Sequence, residues 1–166
     1  MGGDDTDVRT ASRLVGALGA VACVVAAVVM CVASFLPYTG GNWGDALNGP
    51  LQVTLSIVSG SDGWFVLGTV VTLGLVAAVH LGGLRRHATG FIALAASLLS
   101  LGLAFKLPST WKLDGVVYGE PYLLYVGYYV FLRGAVTAVI GALLMVATGF
   151  VGSAPKAKAP LHPTPS

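Results

Sequence analysis

Long apolar runs alternate with short polar stretches along this chain, and the length of the runs sets the fold class. Residues 14–36 carry no charge. At 1.5 Å per helical residue they extend about 34 Å, enough to cross a hydrocarbon core of about 30 Å. Three further runs follow, at about 64–81, 88–107 and 124–150, with Lys106 at the very end of its run and Arg133 as the one charge set deeper inside a run. Each is bounded by turn or charge signals. The pattern predicts an all-α membrane protein, a four-helix transmembrane bundle over residues 13–151. Residues 82–87 are too few for anything but a tight hairpin, which makes the second and third helices antiparallel neighbours.

The polar stretches separate into tails and loops. Residues 1–12 and 152–166 are polar, and Pro155, Pro160, Pro163 and Pro165 block a further helix, so both read as disordered tails. Residues 51–57 alternate apolar and polar at the period of a half-buried strand, and Asp114-Gly115 is a hairpin turn pair between short β-prone runs. A small β cap is one expectation for these two loops. An irregular or short helical re-entry over 45–58 is the other, because short apolar runs are ambiguous.

Lys and Arg near span ends are retained in the cytoplasm. With the amino terminus inside, the inner segments hold Arg9, Arg13, Arg85, Arg86, Lys156 and Lys158, against Lys106 and Lys112 outside. Both termini are therefore expected to be cytoplasmic. A cleaved signal peptide is the rival for the first run, but its apolar region exceeds the usual 7 to 15 or so residues.

Composition narrows the classes further. The chain has 166 residues, 55% hydrophobic and only 10% charged, with a mean hydropathy of +0.83. Four spans nearly exhaust that length, leaving no room for a separate soluble enzyme domain. A net charge of +2 with no long basic run argues against a nucleic-acid partner. Cys23 and Cys31 lie about 12 Å apart on one helix, beyond disulfide reach.

Ser34-Phe35-Leu36-Pro37-Tyr38 closes the first span, Ser61-Asp62-Gly63-Trp64 opens the second, and Val126-Gly127-Tyr128-Tyr129-Val130 leads into a glycine-spaced fourth. This arrangement resembles small, functionally uncharacterised four-helix membrane proteins of actinobacteria, over roughly residues 14–150. The resemblance implies a bacterial inner membrane and supplies no functional residues. The four-span plan and outer-loop Trp43 are shared with claudins, but the Trp and cysteine pair that follow there are lacking.

Few residues offer chemistry. An ionisable residue at membrane depth is a functional-site hypothesis by default, which singles out Arg133, with Asp62 and Glu120 as ion-pair candidates. At about 8 to 10 Å below the outer interface, its stem can also lift the guanidinium to the headgroups. Arg85 and Arg86 are candidates for an anionic lipid headgroup, or fix topology only. No zinc-ligand spacing, cofactor motif or converging pair of carboxylates is present, so no catalytic, metal or cofactor residue is assigned. Gly134, Ala138, Gly141 and Ala142, with Gly68 and Gly74 in the second span, are small residues suited to close helix packing. The expectation is a non-enzymatic plasma-membrane protein, a scaffold or accessory subunit meeting lipids and a membrane-protein partner or a second copy. The alternatives are a small channel or transporter using Arg133 and a lipid-modifying enzyme.

Overall fold

The computed structural model describes residues 4–37, 39–43, 51–59, 63–83, 86–110, 123–124 and 126–151. In chain order these form α1 (Asp4–Ala33), β1 (Thr39–Trp43), β2 (Leu51–Leu55), a 3-10 turn at Ile57–Ser59, α2 (Gly63–Leu81), α3 (Arg86–Thr110), β3 (Leu123–Leu124) and α4 (Val126–Val151). The four helices contain stretches of 24, 19, 20 and 25 residues that are long and apolar enough to cross a membrane. α1 packs on α2 and α4, and α3 packs on the same two, so the helices close a ring with its broadest contact between α1 and α4.

Buried positions are mostly small, with Met30, Leu73, Phe131 and Met145 among the larger exceptions, while many large apolar side chains point outward. On α1, Ala20, Cys23, Ala26, Met30 and Ala33 are buried, while Leu14, Leu18, Val21, Val25, Val28 and Val32 form an exposed stripe at alternating steps of four and three. Hydrocarbon solvates Leu and Val as well as a protein core does, so burying them gains little. Close backbone approach, which small residues permit, must supply the packing. The α1–α4 seam shows how close. A Cβ built on Gly19 would lie 2.6 Å from the Gly141 carbonyl oxygen, and one on Gly141 equally close to that of Gly19. The Cys23 thiol reaches the Ala138 carbonyl at 3.5 Å.

One end of the bundle carries a three-stranded antiparallel sheet in the order β2-β1-β3. Thr39 pairs with Leu55 on one side and Leu124 on the other. The sheet is tied to the helices by Val58 N–H donating to the Ser34 carbonyl at 3.3 Å and Gly127 N–H donating to that of Pro37 at 2.9 Å. Ile57 is fully buried beneath it. At the other end Gly83 closes the α2–α3 hairpin with φ 81°, a conformation that costs other L-residues roughly 1–2 kcal/mol. Its N–H donates to the His80 carbonyl at 3.0 Å.

Several boundaries correct the sequence reading. Asp4–Ser12, expected as part of a disordered tail, is the start of α1. Asp4, Asp5 and Asp7 sit where the helix dipole favours negative charge, and the apolar span continues the helix. α1 stops at Ala33 rather than at residue 36, and Phe35 and Leu36 tighten into i-to-i+3 bonds at 3.1 Å, as expected ahead of a proline that disfavours helix at Leu36. α3 runs past Pro108 to Thr110. Leu123 and Leu124, expected within the fourth span, belong to the sheet because the free edge of β1 pairs with them. The Asp114-Gly115 hairpin and the tail at 152–166 lie outside the described residues.

Candidate functional site

A buried polar cluster lies at the hairpin end of the bundle and is built by all four helices. Val66, Val70, Leu73, Ala77 and His80 occupy the buried stripe of α2 at steps of four and three. The imidazole of His80 therefore points into the bundle, 5% exposed, although His80 belongs to the last turn of the helix. Its Nδ1 lies 2.8 Å from Thr89 Oγ1 on α3, and Thr89 is itself 6% exposed. The tautomer decides which of the two donates.

On the opposite side, α1 and α4 leave room for the ring. A Cβ on Gly16 would lie 2.7 Å from Thr148 Oγ1 and 3.6 Å from His80 Nε2, so any side chain there would intrude between them. Thr148 donates to its own helix, at 3.0 Å to the Leu144 carbonyl and 3.1 Å to that of Met145, which leaves its hydroxyl lone pairs toward the cluster. Just outside, Gly149 lets His87 approach, with Nδ1 3.1 Å from a built Cβ. The His87 ring meets Phe150 edge-on at 6.3 Å between centroids.

This arrangement binds four helices through hydrogen bonds and glycine contacts. Among the described residues, no three of His, Cys, Asp and Glu come together in a way that could hold a metal ion. Ser97 and Ser100, also buried, donate to carbonyls of their own helix at 2.9 Å. Ser100 lies 3.5 Å from Thr69 Oγ1, joining α3 to α2 higher in the bundle.

The residues singled out from sequence are placed differently from one another. Arg133 is exposed, on the outer stripe of α4 with Tyr129, Val136 and Ile140, and does not face the interior. Asp62, Glu120 and Arg85 lie outside the described residues, as does the side chain of Arg86. Gly134, Ala138, Gly141 and Ala142 are all buried; a Cβ on Gly134 would lie 2.7 Å from Met30 Cγ. Gly68 departs from the packing expectation, since nothing lies within 4 Å of a Cβ built there. Compared with known proteins, the chain matches no family profile and no curated sequence.

Proposed function

We propose that this chain is a non-enzymatic multi-pass protein of a bacterial plasma membrane, a scaffold or accessory subunit. In this reading both termini are cytoplasmic, and the sheet end faces outward toward a membrane-protein partner or a second copy. The observation that carries the proposal is the bundle interior. It is filled by Ala, Gly, Val, Leu, Met and Phe131, with Cys23, the His80–Thr89 pair and a few hydroxyls bonded within their own helices, while the intramembrane cation Arg133 lies outside it. A channel or transporter would need Arg133 on a water-filled path, and its exposed position lends that reading no support. The lipid-modifying reading finds no converging carboxylates among the described residues, and the hydroxyl–imidazole contact of Thr89 with His80 is buried between helices, with no opening to a substrate that would favour that reading. In the cytoplasmic hairpin, Arg85 and Arg86 then meet anionic headgroups.

Site-specific photocrosslinking in cells tests the partner surface. Asn42 and Gln52 face one another across β1 and β2, whereas Val28 is 59% exposed on the outer stripe of α1. A photoreactive residue at Asn42 or Gln52 is expected to give one discrete protein adduct, and one at Val28 none. Loss of all adducts from the cap, with a flux that disappears in Arg133→Gln, would replace the scaffold by the channel.

A further inference from the structure

A groove of about 530 Å³ runs between α2 and α3 on the outside of the bundle, walled by Trp64, Phe65 and Thr72 on one helix and by Ile92, Ala95 and Leu99 on the other. Its floor is open where the rest of the bundle is tight. A Cβ on Gly68, or on Gly102 farther along α3, would meet nothing within 4 Å, whereas one on Gly19, Gly134 or Gly141 would strike a neighbouring helix. The hydroxyls in the wall are already turned to their own helix, Thr69 onto the Val66 carbonyl at 2.7 Å and Thr72 onto that of Gly68 at 2.8 Å. Threonines bonded in this way present their methyl groups, so the groove suits hydrocarbon better than water or an ion.

Length distinguishes between apolar occupants. With His80 level with Thr89 and Thr69 level with Ser100, the groove from Trp64 to Ile92 is about 20 Å long, more than the roughly 15 Å of one leaflet's hydrocarbon but well short of the full core of about 30 Å. Toward the hairpin end the outer surface carries Leu75 at 63%, Val79 at 44% and Phe91 at 51% exposure. A partner helix crossing the whole bilayer would call for a small-residue seam along its full length. A lipid chain needs one leaflet only.

The sheet-side end of the groove also carries a charge. Ile92, Leu99 and Lys106 follow one another at steps of seven and so share one stripe of α3, and Lys106 is exposed. Trp64, 76% exposed in the first turn of α2, stands at the same end. An indole and an ammonium at the interface flank the height at which a phosphate sits. We propose that the α2–α3 groove binds one acyl chain of an anionic phospholipid from the leaflet on the sheet side, with its phosphate held at Lys106.

Native mass spectrometry of the full chain tests this, after release from mild detergent loaded with phosphatidylglycerol or with phosphatidylcholine of the same chains. One retained lipid is expected, with phosphatidylglycerol favoured over phosphatidylcholine by about fivefold, the effect of one basic residue near the headgroups. Lys106→Gln should erase that preference and leave a lipid bound. Gly68→Leu fills the open floor without touching the bundle and should lose both lipids. Ala95→Leu, from the other wall, serves the same purpose if the first variant fails to fold. Lipid retention indifferent to both leucines would overturn the proposal. A two-chain mass that collapses to one in Gly68→Leu would overturn it as well, by making the groove a dimer seat.

Discussion

His80 is held by a hydrogen bond and by the space that glycine leaves around it. Nδ1 meets Thr89 at 2.8 Å, and Gly16 leaves room on the Nε2 side, where a Cβ would press on Thr148 Oγ1. Interhelical hydrogen bonds of this kind contribute on average about 0.6 and at most about 1.7 kcal/mol in a membrane bundle. His80→Phe and Thr89→Val should each lower detergent stability by amounts in that range, and the double variant should lose less than their sum. Strict additivity would show that the two side chains do not support one another. The inward direction of His80 was legible in the sequence, since it continues the stripe of Val66, Val70, Leu73 and Ala77. Arg133 was legible in the same way. It falls in step with Tyr129, Val136 and Ile140, large residues that this bundle turns outward.

Between elements, the α1–α4 seam rests on backbone meeting backbone. A Cβ on either Gly19 or Gly141 would lie 2.6 Å from the other's carbonyl oxygen, so neither helix can accept a side chain there without moving. Gly141→Leu should therefore cost at least the 1 to 3 kcal/mol or so typical of overpacking, read as a lower unfolding temperature in detergent. Gly102→Leu, at an open position, should leave that temperature unchanged. Equal tolerance at both positions would mean that the seam is not a close contact. Gly134, Ala138 and Ala142 at four-residue steps made this face readable from sequence. The same reasoning misplaced Gly68, because a small residue signals close approach without saying whether anything approaches. The boundary at Leu123–Leu124 was hidden for a different reason. Those residues pair with Gly40 and Thr39, more than eighty positions earlier, and no local apolar run encodes such a contact.

For the molecule as a whole, the number of spans followed from run length alone, whereas the direction in which they cross depends on charge at their ends. The structure fixes the relative arrangement, with the sheet at one end and the Gly83 hairpin at the other. By their order along the chain, Lys106 and Lys112 belong to segments on the sheet side of the spans, and Arg9, Arg13, Arg85, Arg86, Lys156 and Lys158 to segments on the other side. Six against two predicts the sheet outside, and the early aspartates do not offset it because acidic residues contribute little to this bias. α1 strengthens the assignment. Its 30 residues extend about 45 Å, well beyond the hydrocarbon core, so its first turns, carrying Arg9 and Arg13, project on the hairpin side. Cysteine placed at Ser61 should then react with a membrane-impermeant thiol reagent in whole cells. Cysteine at Ala88, exposed in the first turn of α3, should react only after the membrane is opened. Native Cys23 is buried and Cys31 half-buried within the first span, and alanine at both removes any background. Labelling of Ala88→Cys in intact cells, with Ser61→Cys protected, would invert the molecule. It would turn the sheet into a cytoplasmic surface and move the proposed lipid site to the inner leaflet, while the groove, its open floor and Lys106 would keep their relation to one another.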